Sequence, residues 1–458
     1  MGDALNAAIG ADDPSLTQPS PDLRTEVRTL ARLAWPVVLG QVGLIAMGIE
    51  DLLVVGRLGE QATGAIGLGT TWMFAALAFG IGVAAGIDPL VSQAYGAGRP
   101  QDAVAALLRG SVVMLGVCMP MAAAHWWAED ILRFAGQPES IVPMAGAYCR
   151  ILTAGIPAFF VFQLLRQFLQ GSGRMGAATA VILLGNLLNI AGAWVLVHGA
   201  GGFAGWGPLG AAWATLAVRW CMAFALMWAS IPLIRRDWPG HVLSAGAIWQ
   251  TAQDTLPVGF QVSLEVWAFN AATFMAGWLG ATSSAAHTVA LNLASTSFMV
   301  PLGVSAAAAT RVGNLVGAGR TWQRAAFTAI GSGAAVMLVS AAIFALFPRG
   351  LASMYNTDPV VVAAAAGIIP VVALFQVFDG TQAVGFGVLR GLGDTRMPSL
   401  ANLVGYGMVG LPAGWILAFP LGYGLPGVWG GMTLGLATVA SILVLRVRLH
   451  ARRAPIEV

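Results

Sequence analysis

The chain is 458 residues long, 57% hydrophobic and only 9% charged, with a mean hydropathy of +0.77. Soluble domains carry about a quarter of their residues as charges, so this composition excludes a soluble globular protein and leaves an integral membrane protein. The net charge of +3 rests on 23 basic residues, all Arg and spread over short loops, which excludes a dense nucleic-acid-binding patch.

Residues 1–32 are polar, with Pro, Asp and Arg and no apolar stretch before a small-residue cleavage site, so the first span itself is expected to direct insertion. Apolar runs between breaks of Gly, Pro and charge then predict twelve spans: 33–56, 66–93, 104–124, 143–170, 175–199, 207–234, 254–278, 286–314, 324–347, 361–389, 396–420 and 425–447. Loop arginines test the count. With the N-terminus inside, Arg24, Arg28, Arg32, Arg99, Arg109, Arg174, Arg235, Arg236, Arg320, Arg324, Arg396, Arg446, Arg448, Arg452 and Arg453 fall on the inner side, against Arg57, Arg133 and Arg349 outside. An odd span count would scramble this positive-inside bias. Cys118, Cys149 and Cys221 lie in apolar runs without metal-ligand spacing and read as small core hydrophobes.

The chain repeats itself at an offset of 221: Pro36 with Pro257, Gly56 with Gly277, Leu58 with Leu279, Gly59 with Gly280, Gly82 with Gly303, and "GAGR" at Gly96–Arg99 with Gly317–Arg320. Six spans per half is an even number, so both halves enter from the same side and are parallel repeats. The expected fold is all-α: twelve transmembrane helices in two parallel-related six-helix lobes around a central cleft. The expected domains are a cytoplasmic tail (1–32), an N-terminal lobe (33–234), a cytoplasmic linker (235–253), a C-terminal lobe (254–447) and a cytoplasmic tail (448–458).

Acids inside such spans are functional suspects, because an Asp at a helix centre costs roughly 2.5–3.5 kcal/mol on insertion. Four stand out: Glu50, Asp51, Glu265 and Asp379. Glu265 lies about 12 Å along the helix from Pro257 and Asp379 about 18 Å from Gly391, which puts both near the midplane, where transporter sites lie. Gln261 shares the face of Glu265, and Gln376 and Gln382 flank Asp379 at helical spacing. Glu50 and Asp51 are about 100° apart around their helix; Asp51 shares a face with Gly48, Met47 and Leu44 and is favoured as the inward member, while Glu50 can reach the headgroups. At the 221 offset Asp51 corresponds to Ala272 and Glu265 to Leu44, so the fold itself requires neither acid. A protonated carboxyl bonded to a neighbouring helix is the structural alternative. Asn186 and Asn189 could line a cavity or join helices, and His287 and Asn292 are weaker candidates still. Asp88, Arg311 and Asp394 read as loop or helix-end residues near the inner surface, and the Trp residues as interfacial belts. No phosphate-binding loop, metal-spaced His cluster or nucleophile elbow is present; no enzymatic activity and no cofactor are expected.

"WPVVLGQVGLIAMGIEDLLVVGRLG", "DPLVSQAYGAGR", "FLQGSGRMGAATAVILLGNLLNI", "LEVWAFNAATFMAGWLG", "AAHTVALNLASTSFMVPLGVSAAAATRVGNLVGAGR" and "GVLRGLGDTRMPSL" together resemble the multidrug and toxic compound extrusion (MATE) family, in its NorM-like branch. The resemblance implies secondary antiport at the bacterial inner membrane, both termini cytoplasmic. Organic, often cationic or amphiphilic compounds would leave in exchange for H⁺ or Na⁺, by rocking of a monomer. Carried over by position, the family's first-helix acid matches Asp51, its seventh-helix acid Glu265, its tenth-helix acid Asp379 and its fifth-helix Asn Asn189. A Na⁺ site would fall at Glu265 and Asp379. Two departures disfavour Na⁺ and favour H⁺: Ala193 stands where many relatives have Asp or Asn, and Phe375 where Na⁺-coupled members have Tyr, which keeps an aromatic face but no hydroxyl. A lipid or glycan-precursor flippase of the same broad superfamily is the alternative, and would require a cationic groove.

Overall fold

The computed structural model describes residues 16–20, 22–240 and 242–453. Its regular elements are helices, apart from one isolated bridge between Ala200 and Phe203. This is the solution lipid imposes, since a helix satisfies its own backbone. Side-chain hydroxyls follow the same rule: Thr288, Thr296 and Thr433 each donate to a carbonyl four residues earlier in their helix.

Ten helices are long and apolar enough to cross a membrane among the described residues, and a bent pair makes an eleventh span. Spans one to three are Leu23–Val55, Glu60–Ala85 continued by Asp88–Gly96, and Pro100–Trp126. Span four is the bent pair, Val142–Thr153 and Ile156–Gly171 at 55°, broken where Pro157 cannot continue the preceding ladder. Spans five and six are Met175–His198 and Leu209–Arg236. Span seven, Ala245–Trp278, is long enough at 34 residues, but Asp254, Gln261, Glu265 and Asn270 make it less apolar than the rest. Spans eight to ten are Ala281–Gly317, Gln323–Leu346 and Pro359–Gly391; span eleven, Arg396–Ala418, contains a π-helical stretch, Leu403–Gly410; span twelve is Gly424–Arg453.

By internal contacts the chain forms two compact units. One holds Leu39–Val91 and Arg99–Gly259; the other holds the described residues up to Val38, Ser92–Gly98, and the chain from Phe260 onward. The seams cut spans one and seven between Val38 and Leu39 and between Gly259 and Phe260, positions 221 apart and just past the repeat-related Pro36 and Pro257. The beginning of each of these spans thus packs with the unit that the rest of it does not join.

Within the second unit the "GAGR" repeats explain their own glycines. A Cβ on Gly96 would overlap the Asn314 carbonyl, and a Cβ on Gly317 would overlap the Gln93 carbonyl; Gln93 and Asn314 are themselves 221 apart. Spans eleven and twelve approach closely through Gly410 and Gly414 against Gly431 and Gly435, the small-residue packing that replaces hydrophobic attraction in a bilayer. Three sequence readings change here. Arg311 is fully buried within span eight rather than at a helix end, Cys221 is exposed on span six, and Trp429 is buried inside the second unit rather than in an interfacial belt.

Candidate functional site

Each unit holds a polar cluster built around intramembrane acids inside its apolar packing. In the first, Asp51 is 2% exposed and three other spans converge on it. Thr215 Oγ1 donates to Oδ2 at 2.8 Å, Tyr148 Oη to the same oxygen at 3.1 Å, and Asn189 Nδ2 to Oδ1 at 3.1 Å. Thr215 Oγ1 also lies 3.3 Å from Asn189 Oδ1. Gly69 makes room for the Tyr148 ring, since a Cβ there would lie 2.9 Å from Cδ1. Glu50 is partly exposed and reached only weakly by Asn189 Nδ2, at 3.5 Å. Asn186 stands apart from this cluster and bonds the Gly43 carbonyl at 2.9 Å, a helix-joining role that the missing Cβ of Gly43 permits. Ala193 is wholly buried against the same core.

The cluster in the second unit is aromatic. Asp379, Gln376, Gln382, Phe375 and Gln261 are buried, and Glu265 is partly so. Glu265 and Asp379 lie within electrostatic range of each other, and both lie within range of Tyr406. Asn402 Nδ2 donates to the Gln261 carbonyl at 3.0 Å, and Tyr406 Oη to Gln382 Oε1 at 3.0 Å. Around them Phe269 packs on Phe375 (6.0 Å between centroids) and on Tyr406 (6.1 Å), and Phe375 on Trp429 (5.5 Å). His287 stacks on Trp429 and meets the hydroxyl of Thr273 at 3.0 Å. Both polar atoms of the Gln376 amide lack a protein partner among the described residues, which is costly for a fully buried group and equips it to serve a bound species.

The structure thus brings Asp51 together with Asn189, and Glu265 with Asp379, Gln261, Gln376 and Phe375, and sets Asn186 aside. Sequence reasoning missed Tyr148, Thr215, Asn402 and Tyr406. Asn402 and Tyr406 share a helix face at a spacing of four in an otherwise apolar span, a usable signal; Tyr148 and Thr215 gave none. It also passed over basic residues inside spans, Arg166 and Arg219 among them. Arg166 donates to Gln41 Oε1 at 2.9 Å, and Arg219, 8% exposed, lies against Met73 and Phe159.

Among the described residues no three His, Cys, Asp or Glu side chains gather as a transition-metal site. Carboxyls surrounded by amide and hydroxyl oxygens are suited instead to a proton or a hard cation, and the aromatic walls of the second cluster to an organic cation.

A sequence model of the MatE family matches residues 36–195 and again 257–416, two segments 221 apart. The chain is 36% identical to "Probable multidrug resistance protein NorM" of Rhizobium meliloti (94% of this chain, 95% of the relative) and 35% identical to "Multidrug resistance protein NorM" of Burkholderia vietnamiensis (94% and 95%). Its fold is similar to the crystal structure of the eukaryotic MATE transporter AtDTX14, with a TM-score of 0.87 at 23% identity over 94% of this chain and 98% of that one. It is also similar to the Vibrio cholerae MATE transporter VcmN in its bent form, with a TM-score of 0.82 at 16% identity over 94% and 98%.

Proposed function

From a chain that belongs to the MatE family of membrane transporters, we infer a multidrug efflux antiporter that exports organic, often cationic compounds across the bacterial inner membrane in exchange for H⁺. The relatives named for multidrug resistance support efflux. The observation that carries the antiport reading is the pair of carboxyls, Glu265 and Asp379, within electrostatic range of each other, in the same unit as the unpartnered Gln376 amide and the packed rings of Phe375 and Trp429. Such a site suits an aromatic cation and a proton alike, and one cannot bind while the other neutralises the acids. When the exported compound is uncharged, inward movement of one charge through 100 mV is worth about 2.3 kcal/mol, which sustains roughly fiftyfold concentration; one-for-one exchange with a monocation moves no net charge and draws on the proton gradient alone.

Asp51 with Asn189, Thr215 and Tyr148 forms the second ion site in this scheme. Na⁺ at Glu265 and Asp379 is the competing ion assignment, favoured by the Tyr406 hydroxyl, which supplies from span eleven an oxygen of the kind Phe375 lacks.

The test is dye efflux from vesicles containing the purified protein, under H⁺ and Na⁺ gradients imposed separately. Efflux should follow the direction of the H⁺ gradient and lose that response in Glu265→Gln and in Asp379→Asn. Equal efflux with no gradient, or a response untouched by both substitutions, would defeat the reading.

A further inference from the structure

Arg219 has no place in the scheme above. It lies on span six, one turn beyond Thr215, and four residues along a helix return to the same face at about 6 Å. Thr215 Oγ1 bonds Asp51 at 2.8 Å, and the guanidinium lies within electrostatic range of the same acid without a hydrogen bond to it. Its Nη2 donates to Met73 Sδ at 3.1 Å and its Cζ lies 5.3 Å from the centre of the Phe159 ring. Nη1 is buried with no hydrogen-bond partner among the described residues. Its electrostatic partners include Asp51 and Tyr148, with buried His125 also in range. A buried cation satisfied by a thioether and a ring, with one donor unmet, is poorly explained by packing alone.

We propose that Arg219 is the resident counter-cation of the Asp51 site, and that it keeps Na⁺ out of this site while leaving a proton able to bind. The inference rests on the reading of Asp51 as an ion site. Four oxygen-bearing groups, the Asp51 carboxyl, Asn189 Oδ1, Thr215 Oγ1 and Tyr148 Oη, converge as a hard cation would require. A fixed positive charge within electrostatic range of the acid, at about 6–10 Å and an effective dielectric near 20, weakens the binding of any further monovalent cation roughly ten- to a hundredfold. The penalty is the same for H⁺ and Na⁺, but the starting affinities differ. A carboxylate holds a proton with an association constant of roughly 10⁴ M⁻¹ even in water and needs one oxygen to do so. Na⁺ depends on several weak ligands acting together, and the same factor removes it from the working range.

The experiment is binding of radioactive Na⁺ to the purified full chain carrying Glu265→Gln and Asp379→Asn, which silence the other carboxyl pair. With Arg219 in place, no binding displaceable by unlabelled Na⁺ is expected. Arg219→Met should gain saturable binding, at least tenfold above that parent, and Asp51→Asn should abolish the gain. Arg219→Lys, which keeps the charge, should behave as the parent. Arg219→Gln provides a second neutral variant should Arg219→Met fail to fold. Displaceable Na⁺ binding through Asp51 in the parent, or no gain in a neutral variant that keeps the parent's thermal midpoint, would overturn the proposal. Failure of the antiport reading shows separately, as vesicle efflux indifferent to gradients, because this assay needs no transport.

Discussion

Replacing Arg311 should release the segment that precedes span one. Arg311 is 0% exposed, and its guanidinium is fully engaged. Nε and Nη2 donate to the two oxygens of Glu26 at 2.9 and 3.0 Å, Nη1 to the Leu16 carbonyl at 2.8 Å, and Nη2 also to the Gln18 carbonyl at 2.9 Å and to Ser20 Oγ at 3.3 Å. Arg324 adds a bond to the Ser20 carbonyl at 2.7 Å. Removing one partner of a buried ion pair costs about 3–5 kcal/mol, because the other charge is left without compensation. For Arg311→Met the stranded groups are the Glu26 carboxylate and two carbonyls. With that cost on local opening of residues 16–26, the open population rises by a factor of roughly 10² to several thousand. Arg24 and Arg28, both exposed, are trypsin sites in this stretch, and cleavage there reads the open population when reclosing outpaces cutting. Glu26→Gln combined with Arg311→Met should open far less than the two effects multiplied, since the double variant strands no charge. Multiplicative effects, or cleavage unchanged in Arg311→Met, would refute the reasoning.

Asp394, in the turn between spans ten and eleven, accepts from Arg446 Nε at 2.6 Å and meets His450 Nε2 at 2.9 Å. Burial pushes its carboxyl up, but the hydrogen bonds from His450 and Arg446 outweigh this and hold it below its usual value of 3.8. A depressed folded value stabilises the protein above the unfolded one, and that contribution fades as pH falls through the folded value. The thermal midpoint should therefore drop below about pH 4, and Asp394→Asn should flatten that drop; an equally steep acid limb in the variant would contradict it. Gly96→Val and Gly317→Val should each cost about 1–3 kcal/mol or more by forcing backbones apart, whereas Gly331→Ala, with open space around its Cβ, should be neutral or slightly stabilising in thermal unfolding. Thr215→Val should cost about 1–2 kcal/mol by removing a donor to Asp51, and most of that cost should vanish in an Asp51→Asn background; full additivity would disconnect the two residues.

Spans and symmetry were legible because each is written as repetition. Long apolar runs have one solution in lipid, and a fixed offset of 221 survives wherever a backbone contact forbids a side chain, as at Gly96 and Gly317. The kinks were less legible. The bend between Thr153 and Ile156 and the π-helical stretch at Leu403–Gly410 depend on how neighbours accept a broken ladder, and an apolar run reads the same whether straight or bent. Acids in lipid-facing sequence announce themselves by cost, so Asp51, Glu265 and Asp379 were found. Their hydroxyl partners cost little in any helix, because Thr and Tyr are tolerated there, so Thr215 and Tyr148 carried no such mark.

Arg166 and Arg219 escaped notice for a different reason. Arginines were weighed as markers of loops, and a cation inside a span is visible only when it is set against the acid it faces. The first unit's polar cluster then holds a cation as well as acids, with Arg219 in range of Asp51 and Glu50 at its edge, while the second pairs two acids without an Arg among the residues described around them. Two clusters of different electrostatic character in repeat-related halves are not interchangeable. The acid-rich one can hold a cationic compound by its charge and its rings, and the one that carries Arg219 attracts such a compound less. On the proposed antiport reading, the division of labour between the halves follows from where the arginine sits, with organic cations at Glu265 and Asp379 and the smallest cation alone at Asp51.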